Sequence, residues 1–172
     1  MGKRLPLSTK TYDEFFIGAS FVHLPTWDWR YLKAQGYQES VFDPKAVSPV
    51  GAKGIMQFMP KTWEEIHVKA DVRDDPFDPE ASIYAGAYYL GSLLGQWTAR
   101  RPREDKLALA LASYNCGLGN VLKAQKKSGN ASLYLDIIAS LPDITGEKNS
   151  HETMTYVSRI FGYYNKMVGV KT

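Results

Sequence analysis

The chain has 172 residues, 21 lysines and arginines against 18 aspartates and glutamates, and a single cysteine. That length buries one sizeable core, a lone thiol excludes a disulfide framework or a cysteine metal site, and no apolar run approaches the length of a membrane span. The net charge of +3 is a mild tilt. Its basic clusters, Arg100, Arg101, Arg103 and Lys123, Lys126, Lys127, have no nucleic-acid motif around them and read as solvated faces with loose attraction for an anionic polymer. Eleven Tyr and four Trp suit a ligand groove as well as a core, because sugar rings stack on aromatic faces.

The first fifteen residues, MGKRLPLSTKTYDEF, hold basic residues but no apolar stretch before Asp13 and Glu14. No signal peptide is expected, so export takes another route or the chain begins after its signal. Thr11 to Leu24 predicts a first helix with Phe15, Phe16 and Phe21 as its apolar content, stopped by Pro25. Asp28 is the expected cap of a second helix running to about Ser40. From Val41 to Lys53, Pro44, Pro49 and Gly51 rule out a continuous helix and predict a short hairpin or an irregular wall. A third helix starts around Pro60 with Trp63, Ile66 and Val68. The acidic turn DVRDDPFD, residues 71–78, lacks the glycine and distal glutamate of an EF-hand loop, so no metal is expected. Asp78, Pro79 and Glu80 combine a cap, a first-turn proline and a favourable dipole charge, which starts a fourth helix reaching about Trp97. Its Gly86, Gly91 and Gly95 predict close approach of another helix.

Lys106 to Cys116, KLALALASYNC, is apolar nearly all round until Tyr114 and Asn115 and predicts a helix buried on all sides. The Leu-Ala alternation also fits a strand, but the alanines and the Gly117 stop favour a helix. Tyr114 and Asn115 need partners: they satisfy each other and nearby backbone, or they face a cleft. Cys116 reads as a small buried hydrophobe. Gly117 and Gly119 predict a turn into a short helix around Val121 to Lys127, and another helix covers Ser132 to Ser140, ended by Pro142. Ser150 is the expected cap of a last helix reaching Met167, with Tyr156, Val157, Ile160, Phe161 and Tyr164 as its stripe.

Chemistry concentrates between Gly36 and Pro60, GYQESVFDPKAVSPVGAKGIMQFMP. Trp29, Leu32 and Gly36 share one helical face, and Glu39 is the next position on it, where the pattern calls for an apolar residue. A carboxyl on a core-facing stripe is desolvated and its pKa should rise, which suits a proton donor. The other reading is a helix-terminal glutamate turned to solvent.

Four separated pieces fall into one known order: YQES (Tyr37–Ser40), GAKGIMQFMP (Gly51–Pro60), ASYNCGLGNV (Ala112–Val121) and ETMTYV (Glu152–Val157). Together they resemble the catalytic domain of the soluble lytic transglycosylases of the lysozyme superfamily, over about Asp28 to Met167. Departures are mild: Ile55 where the family often has Leu, Ser113 and Cys116 where alanine is common. The resemblance implies a mainly α, α+β lysozyme-like fold, a single helical domain with a peptidoglycan-binding groove. Residues 1–27 would form an N-terminal helical extension and residues 28–172 the catalytic domain. Glu39 falls on the family's single catalytic acid, Gln57 and Met59 on groove residues contacting the sugar, and Tyr114 and Tyr156 on tyrosines bordering the glutamate. Asn115, Ser40 and Ser113 are further contacts it implies.

Ordinary glycosidases need two carboxylates, and near Glu39 only Asp43 offers a second. The family's mechanism supplies the nucleophile from the substrate: the muramic N-acetyl oxygen attacks the anomeric carbon while Glu39 protonates the β-1,4 glycosidic oxygen. Glu39 then takes the proton of the 6-hydroxyl, which closes a 1,6-anhydro ring. Gln57 and Asn115 would orient acetamido groups. No cofactor and no metal are implied. The partners are peptidoglycan glycan strands, with no nucleic acid and no membrane insertion, for a monomer acting in the periplasm or on the bacterial wall. Compact bacteriophage lysis proteins and trimmed bacterial enzymes both look like this. Two rivals remain: a hydrolytic goose-type lysozyme on the same fold, and a non-catalytic glycan-binding structural component. A membrane-active helical protein is disfavoured, since no segment joins a cationic face to a strongly apolar one.

Overall fold

The computed structural model describes residues 4–73 and 75–170; the start of the N-terminal stretch and Asp74 of the acidic turn lie outside the described residues. The fold is mainly α. The helices are α1 (Asp13–His23), α2 (Arg30–Ser40), α3 (Pro60–Lys69), α4 (Pro79–Gln96), α5 (Arg103–Cys116), α6 (Leu118–Lys127), α7 (Tyr134–Ile138), α8 (Pro142–Thr145) and α9 (Glu147–Val168). Extended structure among the described residues amounts to two isolated antiparallel bridges, Val47 with Lys53 and Lys53 with Phe58. The molecule gathers into two units, Met1–Tyr89 with Ile160–Thr172, and Leu90–Arg159.

In the first unit α1 packs on α2. Asp28 supplies the expected cap, its Oδ1 accepting the Arg30 amide at 3.0 Å while the carboxylate also pairs with the Arg30 side chain at 2.6 Å. The buried side of α2 is unusually polar: besides Leu32 and Ala34 it holds Lys33, Gln35, Gly36 and Ser40. Lys33 tolerates burial because its Nζ donates to the Thr9 carbonyl at 2.6 Å and to Asp13 Oδ1 at 2.5 Å. Removing one partner of such a pair would cost about 3 kcal/mol or more. Gly36 is required by its neighbour, since a Cβ there would stand 2.9 Å from Phe16 Cζ. Tyr31 stacks on Tyr164 with centroids 3.7 Å apart, and Tyr37 meets Tyr163 edge-on at 4.8 Å. Helix α2 is thus clamped along its length before it reaches Glu39.

The stretch from residue 41 to 58 is the irregular wall, folded back twice. Ser48 N–H donates to Ala52 O at 2.9 Å, and Lys53 and Phe58 exchange two backbone bonds of 2.9 Å. It is fixed to α4 by Ser82, whose Oγ accepts the Met56 amide at 3.3 Å. Gly86 allows close approach, but what approaches is the Met56 side chain, 2.8 Å from a notional Cβ, rather than another helix; Gly95 has open space. Helix α3 starts at Pro60 as expected and buries Trp63 and Ile66, while Val68 is exposed. Asp78 Oδ1 caps α4 through the Ala81 amide at 2.8 Å.

In the second unit α5 packs on α6 and α7, and α6 on α8. Leu107 to Ser113 are all buried, so the helix reading of KLALALASYNC holds and the strand reading fails. Several boundaries differ from expectation: α5 already begins at Arg103 rather than Lys106, and α7 is confined to Tyr134–Ile138 within the expected Ser132 to Ser140. Helix α6 begins at Leu118, taking Gly119 into its first turn. Pro142 opens the short α8 rather than merely ending α7. Helix α9 begins at Glu147 after Gly146, whose φ of 83° turns the chain. Ser150 therefore lies inside the first turn, fully buried, its Oγ bonded to the Glu147 carbonyl at 2.9 Å.

Candidate active site

Glu39 is the penultimate residue of α2 and is half-buried. Ser40 beside it is buried and donates its hydroxyl to the Ile55 carbonyl at 2.9 Å, with the Gly36 carbonyl 3.3 Å away. This bond ties the end of α2 to the irregular wall. The chain then reverses through Val41 and Phe42, whose φ values are 55° and 58°. Left-handed backbone costs residues with side chains about 1–2 kcal/mol each. Phe42 compensates: it is fully buried, with the rings of Tyr37, Phe16 and Tyr12 at 5.3, 5.9 and 6.5 Å. Burying a phenyl ring is worth about 2–3 kcal/mol, which offsets most of the strain of the reversal.

A cavity of about 770 Å³ opens here, with Glu39, Ser40, Asp43, Ser48 and Gln57 in its walls, and Arg4 and Lys45 as its cations. Asp43, whose direction the sequence left open, faces the same cavity as Glu39. It is buried, and its Oδ1 accepts the Lys45 amide at 2.9 Å. Burial and then the Asp43 charge push the Tyr12 hydroxyl above its usual pKa. Gln57 has a φ of 50°, and its Nε2 donates to the Gly54 carbonyl at 2.9 Å and the Ala46 carbonyl at 3.3 Å. The amide nitrogen is therefore committed to the wall, which corrects the expectation of a paired donor and acceptor: the oxygen is the group left to meet a ligand. Met59 lies outside this cavity lining, at the N-terminal boundary of α3, and is 42% exposed.

The remaining candidates belong to the second unit. Tyr114 is half-buried near the end of α5, and Tyr156 is buried on α9. Asn115 is exposed, and its Oδ1 accepts the Thr153 hydroxyl at 2.8 Å. Asn115 thus has its partner in a side chain on α9. Ser113 is fully buried with its hydroxyl given to the Leu109 carbonyl at 2.7 Å, geometry that serves packing rather than a ligand. Cys116 is half-buried, less than expected; burial raises its thiol pKa, opposed by a bond to Thr153. Thr153 was missed by sequence reasoning, although it sits within ETMTYV, three residues before Tyr156 and so on the same face of α9. Arg4 and Lys45 were missed because no local pattern marks them.

The chemistry available is that of a half-buried carboxyl opening onto a cavity large enough for a sugar, flanked by an amide oxygen and a second carboxylate. Residues 24–137 match the model of the transglycosylase SLT domain. The chain belongs to this family. A membrane-bound lytic murein transglycosylase F of Haemophilus influenzae is 36% identical over 155 residues, covering 82% of this chain and 31% of that protein. The 70 kDa soluble lytic transglycosylase of Escherichia coli superposes with a TM-score of 0.73 at 26% identity, covering 96% of this chain and 25% of that one. An inactive glutamate-to-glutamine mutant of the lytic transglycosylase Slt of Pseudomonas aeruginosa gives 0.72 at 25% identity, covering 94% and 25%. The chain thus spans about a third of the length of the curated relative and a quarter of each solved one, and it shares the lysozyme-like helical fold of the two solved structures. Among the described residues no helix is long and apolar enough to cross a membrane.

Proposed function

We propose that this chain is a peptidoglycan lytic transglycosylase domain, cleaving the β-1,4 bond between N-acetylmuramic acid and N-acetylglucosamine and leaving a 1,6-anhydro-muramic end. The observation that carries the reading is Glu39: a half-buried carboxyl on a clamped helix end, in the wall of a cavity shared with Gln57, in a chain of the SLT family. That an inactive form of a structural relative is a glutamate-to-glutamine mutant supports a single decisive acid. Glu39 gives its proton to the glycosidic oxygen and then, as carboxylate, takes the proton of the 6-hydroxyl. The substrate's own N-acetyl oxygen bonds the anomeric carbon as the glycosidic oxygen leaves, and the 6-oxygen, losing its proton to Glu39, then displaces the N-acetyl oxygen from that carbon, so atoms balance without water. Gln57 accepts an acetamido N–H through its oxygen. Met59, Tyr114, Asn115 and Tyr156 are the further contacts of this reading, residues 28–172 its catalytic domain, and residues 1–27 an extension. Ser40 acts by holding the wall against α2, and Ser113 by packing. The domain acts as a monomer on glycan strands of the bacterial wall, in the periplasm.

The test is mass spectrometry of fragments released from purified peptidoglycan. Products ending in 1,6-anhydro-muramic acid, lighter by one water than hydrolytic ones, are expected. An inverting hydrolase needs a base roughly 6.5–9.5 Å from its acid to hold the attacking water. Asp28, at the start of the same helix, is about 16 Å away along the axis. Asp43 is the residue that could serve, since it lines the cavity with Glu39. Reducing-end muramic acid as the main primary product, abolished by Asp43→Asn, would make the domain a lysozyme. Intact binding to glycan without any cleavage would make it a gripping module.

A further inference from the structure

The segment ahead of α1 reaches the wall of the Glu39 cavity. The Leu5 amide donates to the Val41 carbonyl at 3.0 Å, two residues beyond Glu39, and Arg4 lines the cavity with Lys45. The match to the family begins at residue 24, so Arg4 comes from a part of the chain that the matched domain does not include. Arg4 and Lys45 are both exposed, and among the described residues neither is in an ion pair, so both cations are available at the cavity rim. Asp43, the nearest acid in sequence to Lys45, already has its Oδ1 on the Lys45 amide. Two cations thus stand at a cavity that also holds the carboxyls of Glu39 and Asp43, and the sugar backbone of the proposed substrate gives them no anion to bind.

We infer that Arg4, assisted by Lys45, forms an anionic subsite that takes a carboxylate of the peptide carried by the muramic sugar. The inference rests on the transglycosylase reading, which supplies a glycan bearing acidic peptides on alternate sugars. A guanidinium fork matches a carboxylate in bidentate geometry, while an ammonium acts as a point charge, so Arg4 sets the preference and Lys45 adds to it. The competing role is a general electrostatic effect on Glu39, and that would change the rate on every substrate alike.

Glycan strands with their peptides, and the same strands with every peptide carboxylate capped as a methyl amide, separate the two roles; stripping the peptides with an amidase would instead leave a lactyl carboxylate on each muramic sugar. Wild type, Arg4→Gln, Arg4→Lys and Lys45→Gln are compared on both by quantifying fragments, after thermal melts confirm equal folding. The preference for uncapped strands, taken as a ratio of kcat/KM, is expected to fall about three- to tenfold in Arg4→Gln. It falls less in Lys45→Gln, is partly kept in Arg4→Lys, and shrinks in wild type as salt rises. A ratio unchanged in Arg4→Gln, whether both rates fall together or neither falls, overturns the subsite. The same ratio measured as affinities in the Glu39→Gln background needs no turnover. Loss of preference there, in a protein whose wild type cleaves neither strand, would sink the catalytic reading and leave the subsite standing; cleavage with no preference to lose would do the reverse.

Discussion

The irregular wall at residues 41–58 and helix α5 carry polar candidates by opposite means. Helix α5 satisfies its own backbone, buries Leu107 to Ser113 without interruption, and meets a positive φ only at Gly117, after it has ended. The wall has left-handed backbone at Val41, Phe42, Gly51, Gly54 and Gln57, and several of its polar backbone groups are met by chosen side chains: Ser40 on the Ile55 carbonyl, Ser82 on the Met56 amide, Gln57 on the Gly54 carbonyl. In the wall, then, a polar side chain is part of the scaffold and of the site together. At the end of α5 the scaffold is complete without Asn115, whose exposed amide is held by a single bond to Thr153. Substitutions should therefore disturb stability and activity jointly in the first region and separately in the second.

Glu39 is the place where that contrast should break most visibly, because it belongs to the regular α2 while facing the wall's cavity. Glu39→Gln keeps shape and removes the transferable proton. Fragment release is expected to fall by about a hundred- to ten-thousand-fold, the range of general acid–base contributions, while the thermal midpoint stays near that of wild type. A folded mutant that clears cell walls at the native rate would remove Glu39 from its role.

The next largest effect compares two glycines. A Cβ on Gly54 would stand 1.8 Å from the Pro76 carbonyl oxygen, at a φ of 74°. Backbone must move, so Gly54→Ala should cost about 3 kcal/mol or more, about 6–12 °C in midpoint, with activity lost alongside. Gly117 has a φ of 89° but nothing within 4 Å of a notional Cβ, so Gly117→Ala should cost only the backbone strain, about 1–2 kcal/mol. Equal losses by calorimetry would mean that α5 depends on its terminal turn as the wall depends on Gly54.

The same contrast governs what could be read in advance. Helix α5 was legible because Leu and Ala without charges, followed by Gly, leave few alternatives, and the four motifs marked Glu39 and its companions. Val41 and Phe42 contradict their own local preference, and the cage of Tyr12, Phe16 and Tyr37 that holds them is assembled from residues up to thirty positions away. Ser150 fitted a cap by type, but Gly146 had already turned the chain. The commitment of the Gln57 amide to two carbonyls, and the delivery of Arg4 by one backbone bond, depend on register that no periodicity encodes.

Two serines sharpen the comparison at a smaller scale. Ser40→Ala leaves the carbonyl of fully buried Ile55 without the hydroxyl that meets it, which should cost about 1–2 kcal/mol and lower activity as the wall loosens. Ser113→Ala removes a bond to the Leu109 carbonyl, an oxygen that already accepts within the helix, and alanine is the better helix former. Its midpoint should stay within about 2 °C of wild type. A Ser113→Ala protein as damaged as Ser40→Ala would show that the serine does more than pack.

Thr153 should also lose less stability than Ser40, and its effect should fall on binding. Its side chain is buried, and its hydroxyl lies 2.8 Å from Asn115 Oδ1 and 3.0 Å from the Asn149 carbonyl. Thr153→Val keeps the volume and removes the donor. The Asn149 carbonyl retains its helical partner and the exposed Asn115 oxygen can take water, so the loss of stability should be at most about 1 kcal/mol, roughly 2–4 °C. What changes is orientation: released from Thr153, the Asn115 amide samples several rotamers, and a sugar must then order it on binding, at about 0.5–1.5 kcal/mol. KM on glycan strands should therefore rise a few-fold with kcat nearly kept, and Asn115→Ala should raise KM at least as far with no added effect of Thr153→Val in the double mutant. Additive effects in that cycle would mean that Thr153 acts on something other than Asn115, and the end of α5 would then be as entangled with its scaffold as the wall is.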